Sequence, residues 1–577
     1  MSEKKLTGYP SIDKPWLKYY SDEAINASLP ECTMYEFLRN NNLSHQNDVA
    51  LVYFGKKITY RKLFNKIDKT ASALTEIGVK KGDIVTIQTL TLPQVVYILY
   101  ALSKIGAVAN VIYATANSKE IGDNLQETHS KIFMVMEPIY HELKDKLDNA
   151  EIDRVIVLPV QDEMDFVTKK IYSVKSHIKP FKSYGKVLSW KDFYELGRGK
   201  NTTISGKSEE LVVMVYTGGT TGKSKAVMLS NFNINVGALQ YLHLGFERGK
   251  TMLCALPPFI AFGITVTLHT PLSFGMKTAI CMGADITDIS SFLKKYKPNY
   301  VICGVVHIKN VREAYKNKKI DLSFLNCLSV GGDVLSPKME ETINDFLVKK
   351  NAKIQLAQGY AMSETAASTA ASTYTVDNIV YKRGTIGVPL VYTNVKVIDQ
   401  DTQQELKYGE IGEICLSGPC TMMGYYNNDG ETNNVLRKHD DGELWVHTGD
   451  LGNIDEDGFI TIVGRIKRII VTFENGIYHK VFPKLLEDEF MKIEGIQTIS
   501  IVGKEVLSDS NINELIAFVV LEHDVTESAI LEKMHKYENE KLENYEKPCK
   551  YIFVDMLPRT TIGKVDYRQL EREANNL

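Results

Sequence analysis

Residues 215–231, VYTGGTTGKSKAVMLSN, carry the side chains best suited to chemistry. Gly218, Gly219 and Gly222 free the backbone to turn tightly and to bring N–H groups close to an anion. The hydroxyls of Thr217, Thr220 and Thr221 add donors, and Lys223 and Lys225 add fixed positive charge. This combination suits a polyphosphate. It is not a Walker loop, because Thr217 stands where the G-x-x-x-x-G-K-[ST] pattern needs its first glycine. A Walker loop also opens directly into a helix, whose N-terminus faces the phosphates. Here an apolar run, residues 211–216, reads as a buried strand before the loop. Ala226-Val227-Met228-Leu229 reads as a second strand after it.

Further blocks follow in order. Leu256-Pro257-Pro258-Phe259-Ile260-Ala261-Phe262-Gly263 is an apolar segment. Ser329-Val330-Gly331-Gly332-Asp333 is a strand end running into a tight turn. Gln358-Gly359-Tyr360-Ala361-Met362-Ser363-Glu364-Thr365 supplies a flat aromatic, hydroxyls and a carboxylate. Thr448-Gly449-Asp450 offers a carboxylate able to accept two vicinal hydroxyls. Asp455-Glu456-Asp457-Gly458 reads as a hairpin turn, and Gly464-Arg465-Ile466-Lys467 follows it. Near the end, Pro558-Arg559-Thr560-Thr561-Ile562-Gly563-Lys564 leads to Arg568.

Taken together, these blocks resemble the adenylate-forming superfamily: acyl-CoA synthetases, firefly luciferase and peptide-synthetase adenylation domains. The likeness is greatest to an acyl-CoA synthetase. The motif matches run from about Val215 to Arg568 in family order, and the N-terminal third matches in general layout only. The resemblance implies ATP, Mg2+ and coenzyme A. It assigns nucleotide contacts to Thr217, Gly218, Gly219, Thr220, Thr221, Gly222, Lys223, Lys225, Gly332, Asp333, Gly359, Tyr360, Ser363, Asp450 and Arg465. Glu364, with Thr220, would hold Mg2+. Phe259, Ile260, Phe262, Val305, Val306 and Gly332 would wall the acyl pocket. Lys467 would be the hinge, Gly476 would lie in the coenzyme A loop, and Lys564 would be the catalytic lysine.

The chain departs from the family's usual wording in places. Ser224 replaces a common proline, Ala226 a common glycine, Asn231 a common histidine and Ile260 another histidine. An apolar residue at 260 suits an apolar acid better than a polar one. Past the hinge, Val471-Thr472-Phe473-Glu474-Asn475-Gly476 is long, and Leu485 stands where a glutamate is common. These changes bear on thioester formation more than on adenylation. Two alternatives stay open: a free-standing adenylation protein that loads a separate carrier, and an inactive nucleotide-binding regulator.

The elements that must position these residues read as α/β. A helix starts at its cap Thr59, carries an apolar stripe through Leu63, Ile67, Ala71, Leu74 and Ile77, and stops at Gly78. Strands near 83–87 and 108–112 flank a helix over 93–105. The expected architecture is a large N-terminal domain, residues 1–466, with two α/β sheet subdomains and a β-barrel-like subdomain. A small mobile α+β domain, residues 467–577, would follow. Residues 1–30 read as an extended surface arm. Residues 251–276, free of formal charge but interrupted by prolines, read as a buried strand and loop rather than a membrane span.

The bulk numbers agree with this size and class. A chain of 577 residues exceeds one core. A net charge of -3 argues against a nucleic-acid binder. Eight scattered cysteines without metal-ligand spacing read as reduced thiols. The N-terminus has no apolar signal region, so a cytoplasmic location is expected. Residues 166–186 carry six lysines and no carboxylate. They are either a solvated excursion or a weak peripheral contact with an anionic membrane.

Overall fold

The structure, a computed structural model, describes residues 6–147, 151–175, 181–217, 224–282, 287–332, 335–374, 379–506, 509–522, 525–559 and 565–577. Gly218, Gly219, Thr220, Thr221, Gly222, Lys223, Asp333 and Lys564 lie outside the described residues.

Two large sheets form the body. The first has eight strands. Its parallel core runs through Val187–Ser189, Arg154–Leu158, Ile132–Met136, Ile84–Gln88, Val108–Ile112 and Leu211–Thr217. Lys225–Ser230 then pairs antiparallel, with Thr217 opposite Lys225. The two strands expected on either side of residues 218–223 are therefore present. Thr59 caps the helix Tyr60–Glu76 by accepting from the Lys62 N–H, and Gly78 follows with φ +95°. Continuous apolar strands suit a parallel sheet covered on both faces.

The second sheet has nine strands. Tyr300–Gly304, Cys327–Gly331 and Leu356–Tyr360 lie side by side and parallel, with Gly304 opposite Gly331 and Gly331 opposite Gly359. Three neighbouring strands thus carry glycine in register at or next to their carboxyl ends. A Cβ on Gly331 would lie 2.7 Å from the Gly359 carbonyl oxygen, so the close approach requires glycine. Ligand sites of open α/β sheets lie beyond such carboxyl ends.

A third, five-stranded antiparallel sheet contains Asn394–Ile398, Gly412–Ser417, Leu436–Lys438, Leu444–Ile454 and Ile460–Arg465. Beyond it stand a hairpin, Ile470–Glu474 with Ile477–Val481, and a three-stranded sheet of Ile496–Val506, Asp509–Leu521 and Lys550–Phe553. The main apolar cluster ends at Ile460 and Ile462, whereas the clusters that follow begin at Ile470.

Two local expectations needed correction. The N-terminal arm is not extended. It makes short turns: Pro10–Asp13 and Pro15–Tyr19 open on proline, which suits the first position of a helical turn, and Asp22–Ile25 is capped by the Ser21 hydroxyl. Trp16 is buried, and the Ser11 hydroxyl donates to Glu405 at 2.7 Å. Residues 251–276 begin as the strand Thr251–Cys254 but continue as a π-helical stretch, Gly263–His269, and a turn, Thr270–Ser273. Gly263 packs so tightly that a Cβ would meet the Pro257 carbonyl oxygen at 1.9 Å. Among the described residues no helix is long and apolar enough to cross a membrane.

His269 ends that π-helical stretch and is fully buried. The Tyr100 hydroxyl lies 2.9 Å from Nδ1, and Nε2 lies 2.9 Å from the Asn235 Oδ1. A neutral ring with its proton on Nε2 satisfies both contacts. Burial pushes its pKa down to about 3 from the ordinary 6.5. The unfolded chain therefore takes up a proton at higher pH than the folded one. Stability is full above pH 6.5 and declines as pH falls toward 3, by up to about 1.4 kcal/mol per pH unit. Urea unfolding at pH 7 and pH 5 should show a loss about 2 kcal/mol larger in the wild type than in His269→Gln. Equal losses would mean that His269 is not held neutral.

Candidate functional site

The strand pair Leu444–Ile454 and Ile460–Arg465 places Asp450 opposite Arg465. Arg465 Nε lies 2.7 Å from Asp450 Oδ1, and Nη2 donates to Oδ2 at 3.4 Å. Tyr360, at the carboxyl end of its strand, donates its hydroxyl to Asp450 Oδ2 at 2.5 Å. The buried Asp450 carboxylate thus joins the third sheet to the edge of the second. Asp450 holds the Arg465 guanidinium proton more tightly than usual, against the opposing effect of burial. Burial, then the adjacent Asp450 charge, pushes the Tyr360 phenol well above its ordinary range, so it acts as a donor.

Glu364 sits one turn beyond Tyr360, in the short Ser363–Thr365 helix. Its carboxylate is buried, and Oε1 accepts from the Tyr425 hydroxyl at 2.7 Å. The Glu364 carbonyl accepts from the Met422 N–H at 2.8 Å. Lys225 stands over the Tyr425 ring at 4.5 Å and pairs with Glu431 at 3.0 Å. Ser224 donates its hydroxyl to the Thr217 carbonyl at 2.9 Å, closing the base of the glycine-rich loop. Lys225, Tyr425 and Glu364 therefore form one chain of contacts from that loop to the Tyr360 segment. Burial, then Glu364, raises the Tyr425 phenol.

Beside Tyr360 lies an apolar pocket lined in part by Tyr241, Phe246, Phe262, Ile302, Tyr360 and Ala361. Phe262 belongs to both the expected acyl wall and this lining. Phe259 packs its ring 5.3 Å from Tyr113, and Ile260 packs against the main core. Val305 is buried among Ile308, Val311 and their neighbours in the second core cluster, and Val306 follows it on the helix Val305–Tyr315. Gly332 is exposed with φ +80°.

The Thr448-Gly449-Asp450 segment rests on a buried polar relay. Glu413 Oε1 accepts from the Gly449 N–H at 2.9 Å, and Oε2 lies 3.0 Å from His447 Nδ1. His447 Nε2 faces His439 Nε2 at 2.9 Å. Burial alone would raise the Glu413 carboxyl. The bonds from His447 and Gly449 outweigh it and hold the group below its usual range. Cys415 completes a cluster whose ligating atoms lie within 4.8 Å of one another. Lys396 and Arg437 both bring positive charge to it, which favours hydrogen bonding there over a bound cation.

Lys467 lies in the turn Ile466–Arg468. Its neighbour Arg468 pairs with Glu487 at 2.7 Å, and its guanidinium lies 3.6 Å over the Tyr567 ring. Asn475 and Gly476 form the tip of the 470–481 hairpin with φ +51° and +85°, as a tight two-residue turn needs. Arg559 and Val565 bridge antiparallel on either side of residues 560–564. Sequence reasoning missed Tyr425, Glu431 and Glu413. Their contacts join residues 34 to 206 positions apart, and no local spacing signals them.

The family described as AMP-binding enzyme matches residues 38–426. The long-chain-fatty-acid–CoA ligase of Bacillus subtilis is 27% identical over 581 residues, covering 98% of this chain and 99% of its own. The ATP-bound MatB structure from Rhodopseudomonas palustris superposes with a TM-score of 0.78 at 23% identity, covering 95% of this chain and 99% of its own. The anthranilate CoA ligase AuaEII in complex with anthranoyl-AMP gives a TM-score of 0.77 at 20% identity, covering 96% and 99%. These solved structures share the fold, with a large N-terminal and a smaller C-terminal domain.

Removing the relay's carboxylate tests its structural weight. Glu413→Ala leaves the Gly449 N–H and His447 Nδ1 without their acceptor. It should lower the unfolding free energy by about 1–3 kcal/mol, read from urea denaturation. Glu413→Gln keeps one acceptor oxygen and should recover part of that loss. An unchanged midpoint in Glu413→Ala would show that the relay supports nothing.

Proposed function

The chain belongs to the AMP-binding enzyme family, and from that premise we propose an AMP-forming acid–thiol ligase acting on a fatty or other apolar carboxylic acid. In the first step a carboxylate oxygen of the acid attacks the α-phosphorus of ATP. The bond to the bridging oxygen breaks, and pyrophosphate leaves with the electron pair. In the second step the coenzyme A sulfur attacks the acyl carbon, its thiol proton passes to solvent, and AMP leaves. The carrying observation is the Asp450, Arg465 and Tyr360 cluster at the carboxyl edge of the second sheet.

The roles follow the family assignment, and the described contacts of Asp450, Arg465, Tyr360 and Glu364 support theirs. Asp450 accepts from the ribose hydroxyls, held in place by Arg465. Thr217, Gly218, Gly219, Thr220, Thr221, Gly222, Lys223 and Lys225 cradle the β and γ phosphates. Gly332, Asp333, Gly359, Tyr360 and Ser363 surround the rest of the nucleotide. Glu364 fits a magnesium ion, with Thr220 as its companion. One of its carboxylate oxygens is fixed by Tyr425, which leaves the other for a hard cation that keeps most of its water. When bound, such an ion neutralises phosphate charge. The acyl chain runs in beside Phe262 and Tyr360, past mostly apolar side chains that must move apart to admit it, since the cavity there measures only about 20 Å³. That lining agrees with the name of the Bacillus subtilis relative.

We place the division of the chain at residues 1–466 and 467–577, with Lys467 as the swivel. Arg465 is tied to Asp450 on one side, and Arg468 to Glu487 and Tyr567 on the other. Rotation is then left to Ile466 and Lys467. It carries Lys564 toward the attacking carboxylate and the α-phosphate, where its charge offsets their repulsion. The opposite rotation withdraws Lys564 and admits the thiol, with Gly476 on the incoming hairpin. The reading also places the protein in the cytoplasm, in weak contact with anionic lipid through residues 166–186.

Pyrophosphate release with ATP should depend on added acid and be greatest for apolar chains. With coenzyme A present, acyl-CoA should accumulate. Acid-independent release would reject the reading, and acid-dependent release without thioester would favour a carrier acceptor. Lys564→Ala should reduce adenylation about 100-fold or more while sparing thioester formation from supplied acyl-AMP. Equal loss in both halves would contradict its role. Asp450→Asn should weaken ATP use by about tenfold or more through the lost charge, and an unchanged KM for ATP would remove Asp450 from the nucleotide site.

A further inference from the structure

The helix Phe166–Lys175 reverses the usual arrangement of a surface helix. Phe166 is 82% exposed, Val167 64%, Ile171 61% and Val174 70%. With the exposed Lys170, these residues fall within an arc of about 140° on a 3.6-residue helix. Its polar contacts are made instead with the segment just before it. Asp165 caps its first turn by accepting from the Val167 and Thr168 N–H groups at 3.0 Å, and Lys169 pairs with Asp162 at 2.9 Å. Tyr172 packs against the main core. The apolar face is therefore held outward by a satisfied inner face.

Charge and position narrow what can cover it. Lys170 on that face and Lys182 beyond it are exposed, and residues 166–186 hold no carboxylate, so the complementary covering surface is anionic. The helix follows the carboxyl end of the strand Arg154–Leu158. Nearby, the Tyr53 hydroxyl donates to the Val160 carbonyl at 2.9 Å. Tyr53 ends a strand parallel to those that carry Gly304, Gly331 and Gly359 at or next to their carboxyl ends. The chain thus enters the helix from the side of the sheets on which the strand carboxyl ends, and the candidate site, lie.

We propose that the Phe166–Lys175 helix is an interfacial docking element that seats the protein on an anionic lipid bilayer, apolar stripe in the acyl boundary and lysines among the headgroups. A short helix with this division of faces has the character of an in-plane membrane binder. Each lysine near the surface adds attraction that salt screens. This deepens the lipid contact in the proposed function, and it would bring the catalytic edge to a phase where apolar acids concentrate.

Co-sedimentation of the full chain with phosphatidylglycerol vesicles and with phosphatidylcholine vesicles tests the proposal. The wild type should bind the anionic vesicles, weaken with salt, and bind neutral ones at least about tenfold less. The combined variant Phe166→Ser, Ile171→Ser, Val174→Ser should lose at least about tenfold in binding. Lys170→Glu with Lys182→Glu should lose binding to anionic vesicles alone. All variants should keep wild-type pyrophosphate release with a short, water-soluble acid, which separates this test from that of the reaction. No binding by the wild type would overturn the proposal, as would equal binding by the serine variant or by neutral vesicles. So would a wild-type dimer that the serine variant abolishes without any vesicle binding, which would assign the face to a second copy.

Discussion

The Asp450 carboxylate is the constraint on which the candidate site depends. It is buried, charged and shared between Arg465 and Tyr360. A buried charge is tolerated only when paired and hydrogen-bonded. Meeting that need fixes three elements relative to one another: the end of the Leu356–Tyr360 strand and the two strands carrying Asp450 and Arg465. The Glu413, His447 and His439 relay then steadies the same segment from behind through the Gly449 N–H. Taking one partner from this arrangement leaves a charge in a poor solvent, so the site is ordered by electrostatic necessity as much as by packing.

The contrast between Arg465 and Arg468 gives the proposed swivel its physical content. Two guanidinium groups, three residues apart, are anchored in opposite directions. The apolar clusters also part between Ile462 and Ile470. A backbone hinge needs stiff material on both sides and few residues between. Lys467 is exposed within the turn, so a change in its φ and ψ disturbs little packing.

What was legible in the sequence was what chain-local chemistry writes. The strand, glycine-rich loop, strand order around Thr217 and Lys225 follows from two apolar runs separated by glycines. The Thr59 cap and the Gly78 stop gave the first long helix its limits. The family order of the blocks gave the fold class and the likeness that the AMP-binding match reports. Tertiary necessity was not legible. Tyr425 meets Glu364 across 61 positions, and Lys225 meets Glu431 across 206, so no spacing reveals either pair. The N-terminal prolines read as breakers but start helical turns, because their fixed φ suits a first helical position. Residues 251–276 read as loop because prolines interrupt them. A glycine at 263 lets the chain instead pack a helical stretch against the Pro257 carbonyl.

The row of glycines at Gly304, Gly331 and Gly359 bears on how this architecture can diversify. Along that row the sheet offers bare peptide, and at Gly331 an added methyl would strike the neighbouring main chain. Under the proposed function, the middle of that floor offers no side chain with which to choose between acids. The choice is then left to Tyr241, Phe246 and Phe262, which line the adjoining pocket from outside the sheet. Those walls can be exchanged one at a time while the platform beneath keeps its shape.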